Sequence, residues 1–277
     1  MSRVWFITGT SRGLGREWTI GALERGDRVA ATARDISTLA DLTERYGAAL
    51  LPIALDVTDR DAAFAAVATA HEHFGRVDVV INNAAYSHYG FVEELTEAEL
   101  RAQMETNFFG PVWITQAALP YLRAQRAGHL IQVSSIGGVT AFPYLSAYHA
   151  SKWALEGFTQ SLAGEVEPFG IRVTLIEPGG FNTGIVSRAP QSRHLDAYSA
   201  AYQRFEIDRE ARMVRLGDPR AAREAIMRIV DADTPPLRIF LGDQAFDWAR
   251  KEYEQRLTTW QQWQQVAVDA HGRSKEG

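Results

Sequence analysis

A phenol and an ammonium set four residues apart, Tyr148 and Lys152 in Tyr148-His149-Ala150-Ser151-Lys152-Trp153, are the groups of this chain best placed to move a proton. On a helix that spacing puts both side chains on one face, where the cation lowers the cost of ionising the phenol. A tyrosine so placed serves as a proton donor or acceptor near neutral pH. The same spacing arises on ordinary solvated helix faces, so its meaning depends on what the rest of the chain places beside it.

Near the N-terminus, Val4-Trp5-Phe6-Ile7-Thr8 predicts a buried strand that runs into Gly9-Thr10-Ser11-Arg12-Gly13-Leu14-Gly15 and then a helix from Arg16 to Glu24. A strand, a glycine-rich turn and a helix in that order leave backbone N–H groups and the positive helix end where a pyrophosphate can sit. A plain tight turn is the competing reading, and the downstream pattern decides against it.

The elements that must position these groups alternate along the chain. Further strands are expected at Arg28–Ala33, Leu50–Leu55, Val77–Ile81, Leu130–Val133, Val173–Ile176 and Leu237–Leu241. Long helices are expected from Glu97 to Arg126 and from Ala147 to Glu167, and Asp218-Pro219 has the form of an N-cap and first helical residue. Such alternation predicts parallel strands with right-handed crossovers: an α/β, doubly wound, mostly parallel seven-stranded sheet with helices on both faces. Ligands bind these sheets at the carboxyl ends of the strands, where every residue singled out above falls.

Composition narrows the function classes. The 277 residues, 46% hydrophobic, suffice for one large core, and no linker, repeat or low-complexity tract divides them. The expectation is a single domain over 1–268, with a substrate lid at about 184–217, a C-terminal helix at about 243–266 and a disordered tail at 269–277. A net charge of −5 without a basic run speaks against nucleic acid as partner. The absence of cysteine excludes disulfides, a thiol nucleophile and thiolate metal sites, and no metal site is expected. No signal-peptide pattern or membrane-length apolar run is present, which leads us to expect a soluble cytoplasmic protein without a membrane partner.

In chain order, Thr8-Gly9 with Gly13 and Gly15, Asp56, Asn82-Asn83-Ala84-Ala85, Asn107, Ser134-Ser135, Tyr148 with Lys152, and Pro178-Gly179 with Thr183 resemble the short-chain dehydrogenase/reductase family. The resemblance is to its short single-domain branch on a Rossmann sheet, over roughly Val4 to Leu241, and is similar to bacterial hydroxysteroid and retinol dehydrogenase-like members. Ala85 departs from the family pattern, which has glycine there. The resemblance implies an oxidoreductase that transfers a hydride between NADP(H) and a carbonyl or secondary alcohol. It makes Tyr148 the acid or base, and gives Lys152 the tasks of lowering the phenol's pKa and holding the nicotinamide ribose. Ser135, thirteen residues before Tyr148, becomes the donor to the substrate oxygen in preference to Ser134. Asn107 becomes the holder of a relay water behind the lysine, against a mid-helix kink as its plain alternative.

For the cofactor, the resemblance implies Gly9, Ser11, Arg12, Gly13, Leu14 and Gly15 at the phosphates and Asp56 and Val57 around the adenine. Asn82, Ala84, Pro178 and Gly179 join them, with Thr183 and the backbone near Phe181 at the carboxamide. The second strand ends in Ala33-Arg34 instead of a carboxylate. A carboxylate there would repel a 2′-phosphate, whereas Arg34 and Arg12 would grip one, so NADP(H) is expected to be preferred. Asp35, positioned to neutralise Arg34, leaves NAD(H) open.

Phe142, Tyr144 and Phe181 are expected to line the carbonyl site, with Tyr198 and Tyr202, near Phe205, descending from the lid. Together they favour a bulky apolar ketone or aldehyde over a sugar, although the helical spacing of Tyr198, Tyr202 and Phe205 makes packing on the core the plainer reading for at least two of them. Phe246, Trp248, Tyr253, Trp260 and Trp263 in the last helix dock it on its own domain or form a subunit contact. A homodimer or homotetramer is expected by resemblance, through the helices carrying Asn107 and Tyr148. The alternative function is a catalytically silent NADP(H)-binding sensor on the same fold.

Overall fold

The strands form where the sequence is most continuously apolar: β1 (Val4–Ile7), β2 (Arg28–Ala33), β3 (Leu50–Ala54), β4 (Val79–Asn82), β5 (Gly128–Val133), β6 (Ile171–Pro178) and β7 (Arg238–Leu241). This computed structural model describes residues 2–213 and 216–272. All seven strands pair in parallel in the order β3-β2-β1-β4-β5-β6-β7. Parallel strands are covered on both faces, which is why they lack a polar side. Alternate residues serve two different cores. Trp5, Ile7, Val29, Ala31 and Ile81 pack on one face, and Val4, Phe6, Ala30 and Val80 on the other.

The helices in chain order are α1 (Gly13–Glu24), α2 (Ala40–Tyr46), α3 (Arg60–Phe74), α4 (Glu97–Met104), α5 (Gly110–Gln125), α6 (Ser146–Val166), α7 (Ser199–Met213), α8 (Ala222–Asp231), α9 (Ala245–Gln262) and α10 (Gln264–His271). The first core is closed by α1, α2 and α8 through residues such as Trp18, Leu42 and Ile226, and the second by α3, α5 and α6 through Val67, Ile114 and Leu162. Strand order reverses between β1 and β4, which opens a crevice at their carboxyl ends.

Two helices differ from expectation. The stretch expected as one helix from Glu97 to Arg126 is interrupted by a π-helical turn, Glu105–Phe109, between α4 and α5. Pro111 has no N–H to continue the ordinary ladder, and the Gly110 N–H instead reaches back to the Glu105 carbonyl. The C-terminal helix breaks at Trp263, whose φ of −102° and ψ of 6° separate α9 from α10. Of the tail expected to be disordered, Asp269 to His271 complete α10, and 273–277 lie outside the described residues. Among the described residues no helix is long and apolar enough to cross a membrane.

Candidate active site

A cleft of about 1120 Å³ runs along the carboxyl ends of the strands. At one end lies the glycine turn. Gly9 and Gly13 have φ of +70° and +61°, which side-chain-bearing residues rarely adopt. A Cβ on Gly9 would lie 2.8 Å from the Ala84 Cα, and one on Gly13 would lie 2.9 Å from the Thr183 Cβ. The turn delivers the chain into α1 with no side-chain cap on its first N–H groups and no acidic residue in its first turn. Unclaimed donors at a positive helix end fit a pyrophosphate. Ser11, Arg12, Gly13 and Leu14 line this part of the cleft, with Asp56 and Val57 across from them. Asp56 also fixes the turn after β3, accepting from the Thr58 N–H at 3.0 Å and its hydroxyl at 2.9 Å.

Two residues expected at the cofactor sit behind the wall instead of in it. The Asn82 amide turns into the core toward the Pro111 carbonyl and Thr115 hydroxyl, both at 3.3 Å. Gly15 lies under Asn83, whose amide bonds the Thr8 and Gly9 carbonyls at 2.9 and 3.0 Å. A Cβ on Gly15 would meet the Asn83 Nδ2 at 2.4 Å, so close packing within the protein explains that glycine. Ala84 and Ala85 both face the cleft.

Arg12, Arg34 and Arg188 all face the cleft, and Arg12 is lowered from its ordinary pKa by burial and then by the charges of Arg188 and Arg34. Among the described residues none of the three is paired with a carboxylate. Asp35 does not neutralise Arg34. It caps the 3₁₀ turn Ile36–Leu39, accepting from the Ser37 N–H at 2.9 Å. An anion would therefore relieve repulsion among three guanidinium groups.

At the other end of the cleft stand Ser135, Tyr148 and Lys152. Tyr148 and Lys152 occupy the first two turns of α6, and the Lys152 ammonium donates to the Val133 carbonyl at 2.7 Å. Its nitrogen lies 5.8 Å from the centre of the Tyr148 ring. The expected lowering of the phenol is not found. Burial pushes Tyr148 up to about 12, opposed by a hydrogen bond with Ser135. Burial also pushes Lys152 down to about 8, opposed by the charge of Glu156. The Ser135 Oγ accepts from the Gly137 N–H at 3.0 Å, which leaves its own proton for a ligand or the phenol. Ser134 is buried, and among the described residues its hydroxyl has no partner.

Asn107 lies in the π turn, fully buried, and does not reach the cleft. Its Oδ1 accepts from the Tyr86 N–H at 3.1 Å, and its Nδ2 donates to the Tyr86 carbonyl at 2.9 Å and the Ser151 hydroxyl at 3.1 Å. The side chain braces the loop after β4 against α6, a task beyond a mid-helix kink.

Pro178, Gly179, Phe181 and Thr183 line the cleft beyond β6, and Phe142 faces it beside His149. Tyr144, Tyr198 and Tyr202 do not. Tyr144 is buried at a φ of +73° and meets His194 at 3.1 Å through its hydroxyl. Tyr198 stacks on Phe91 with ring centres 4.7 Å apart and donates to Glu93 at 2.9 Å, while the Tyr202 hydroxyl donates to Glu94. These aromatics pack against the segment after β4, and of Tyr198, Tyr202 and Phe205 only Phe205 reaches the cleft.

The sequence model for short chain dehydrogenases matches residues 3–194. The chain belongs to the short-chain dehydrogenase family. This short-chain dehydrogenase is 40% identical over 271 residues to Oxidoreductase BOA17 of Botryotinia fuckeliana, covering 97% of this chain and 99% of that protein. It is 38% identical to a 3-ketodihydrosphingosine reductase of Bacteroides thetaiotaomicron, covering 87% of this chain and 88% of that protein. The crystal structure of a short-chain dehydrogenase from Streptomyces avermitilis superposes with a TM-score of 0.88 at 36% identity, over 97% of this chain and 98% of that one. Structures of the same fold have been solved with NADP and with NADH. The protein is thus an NAD(P)-dependent dehydrogenase or reductase of small molecules.

Among the residues of this short-chain dehydrogenase's cleft that escaped sequence reasoning are Tyr89, His149, Arg188 and Trp248. His149 follows Tyr148 and could have been noticed by position alone. Its Nδ1 donates to the Gly137 carbonyl at 2.8 Å and its Nε2 accepts from the Phe142 N–H at 2.9 Å, pinning the loop that carries Ser135. That tautomer is neutral, and burial lowers the imidazole pKa further. Trp248 meets Phe142 edge to face at 5.9 Å, so the start of α9 walls the end of the cleft that holds Ser135, Tyr148 and Lys152. No local sequence signal marks Tyr89, Arg188 or Trp248, because each enters the cleft from a distant element.

Proposed function

We propose that the protein is an NADP(H)-preferring reductase of bulky apolar ketones or aldehydes, working in reverse as an alcohol dehydrogenase. The observation that carries this reading is one continuous cleft with Ser135, Tyr148 and Lys152 at one end and, at the other, Arg12, Arg34 and Arg188, which pair with no carboxylate among the described residues. When bound, the nicotinamide cofactor supplies the hydride to the carbonyl carbon. The phenol, held protonated by burial up to about 12, gives its proton to the carbonyl oxygen as negative charge develops there. Ser135 donates a hydrogen bond to the same oxygen and positions it. The Lys152 ammonium steadies the phenolate left behind, and Val133 fixes its direction.

Arg12, Arg34 and Arg188 hold the adenosine phosphates, and Ala33-Arg34 in place of a carboxylate at the end of β2 admits a 2′-phosphate. Phe142, Phe205, Tyr89 and Trp248 give the carbonyl end an aromatic wall, which favours an apolar substrate. The similarity to a protein named 3-ketodihydrosphingosine reductase supports the same class, a ketone on a long apolar chain. Partly exposed Phe108, Phe109, Trp113 and Phe158 on and beside α5 and α6 suit a homodimer through these helices.

NADPH consumption against a panel of ketones and aldehydes tests the reading. Tyr148→Phe is expected to lose a hundredfold or so in turnover with NADPH affinity unchanged. Retention of more than a few per cent of turnover, on a substrate whose chemical step is limiting, would remove Tyr148 from the proposed role.

A further inference from the structure

Behind the catalytic end lies a buried carboxyl pair that the proposed reaction leaves unused. Glu156, one helical turn beyond Lys152 on α6, and Glu177 on β6 are 7% and 1% exposed. One guanidinium lies against both, since the Arg238 Nε lies 3.0 Å from Glu156 and 3.5 Å from Glu177. Ser134 joins them: its N–H bonds the Ile176 carbonyl at 2.8 Å, beside Glu177. A Cβ on Gly138 would lie 2.5 Å from the Ser134 Oγ and 3.3 Å from the Glu156 Oε1, so those two oxygens converge beneath that glycine. The Ser134 Oγ, Glu156 Oε1 and Glu177 Oε1 are all buried without a donor among the described residues.

Two ionised carboxylates around one guanidinium repel each other, and a carboxyl oxygen can bond another only when one carries a proton. The shorter approach to Arg238 favours Glu156 as the ionised member. We infer that Glu156 and Glu177 hold one proton between them at neutral pH, and that the charge remaining on Glu156 is the counter-charge of the Lys152 ammonium. Glu156 is then a positioning residue that acts through Lys152, and the inference rests on the reading of Lys152 proposed above. The upward shift of Glu177 to about 8, caused first by burial and then by the charge of Glu156, agrees with this arrangement. The charged and titratable groups that face the cluster are Lys152 and Glu156 from α6, Glu177 from β6 and Arg238 from β7. Ser134 and Gln160, which accepts from Arg238 at 2.9 Å, are its neutral polar members.

Two measurements test the inference. Infrared spectra of the whole protein at neutral pH should contain a buried protonated-carboxyl stretch that is lost in both Glu156→Gln and Glu177→Gln, because sharing a proton requires both acids. Its absence from the unmodified protein, or its survival in both variants, overturns the proposal. In the pH profile of NADPH-dependent turnover, loss of the anion disfavours the ammonium, so the alkaline limb of Glu156→Gln should move down by about one pH unit or more. Glu156→Asp should restore most of that shift, and Glu177→Gln should move the limb less. A Glu156→Gln profile that superposes on the unmodified one, or an equal shift in Glu177→Gln, also overturns it. If Glu156→Gln does not fold, loss of the infrared stretch in Glu177→Gln alone decides. Full activity in Lys152→Ala would instead sink the proposed role of Lys152 while leaving the carboxyl stretch readable.

Discussion

Removing the Glu94 carboxylate should release the outer half of the segment over the cleft. Glu94 is 7% exposed. Its Oε2 accepts from the Phe91 N–H at 2.9 Å, and its Oε1 accepts from the Leu195 N–H at 2.8 Å and from the Tyr202 hydroxyl. The last two bonds tie the 190–205 region to the segment after β4. Charge-assisted bonds contribute roughly 1.5–3 kcal/mol each, so Glu94→Ala forfeits about 3 kcal/mol at the lower bound. That corresponds to about a hundredfold in the opening equilibrium. Hydrogen exchange of the amides from 192 to 205 should accelerate by that order, while those of β6 stay unchanged. Exchange in Glu94→Ala equal to that of the unmodified protein would refute the latch. Acid should act in the same direction. Burial raises the Glu94 pKa, but the bonds from Tyr202, Leu195 and Phe91 and the charge of His194 bring it below the ordinary glutamate value. A depressed acid stabilises above its unfolded pKa of about 4.3 and loses that contribution as pH falls through the folded value, so opening should grow below about pH 4.

Arg34→Asp should weaken NADPH binding by roughly 1.5–3 kcal/mol for each charge-assisted hydrogen bond it removes and narrow or reverse the preference over NADH; equal dissociation constants for the two cofactors in the unmodified protein would refute that preference. His129 is fully buried in β5 against the Thr174 hydroxyl at 2.9 Å, and burial, then the charges of Arg172 and Arg3, push its pKa down to about 3. The unfolded imidazole takes up a proton first, so stability is complete above about pH 6.5 and falls toward pH 3, by up to about 1.4 kcal/mol per unit. Denaturant midpoints of His129→Gln should lose that part of the pH slope. Trp248→Ala should raise KM for bulky ketones several-fold with NADPH affinity unchanged, and an unchanged KM across a size series would remove Trp248 from the substrate wall.

Local sequence carried the alternation of strands and helices because parallel strands must be apolar on both faces, and burial on two sides leaves a signature in consecutive residues. The glycine turn was legible for a related reason: positive φ at Gly9 and Gly13 is a property of single residues. Tyr148, Lys152 and Ser135 were legible as types at a spacing, and the fold brings all three to one cleft.

What lay beyond reach was direction. Asn82 and Asn83 are adjacent asparagines at the end of β4, yet one amide turns into the core and the other holds the glycine turn, a choice set by Thr115 and Gly9 far away in the chain. Tyr198 and Tyr202 have the composition of substrate-binding residues, but the carboxylates of Glu93 and Glu94 claim their hydroxyls. Protonation was equally nonlocal. The spacing of Tyr148 and Lys152 argues for a lowered phenol, whereas desolvation, which depends on everything packed around the pair, raises it. The sequence by itself determined which backbone could form and which reactive groups it carries, because those follow from torsional preference and periodic burial. Tertiary structure alone decided which side chains face the cleft and which charges they feel, since both depend on neighbours separated by many residues in the chain.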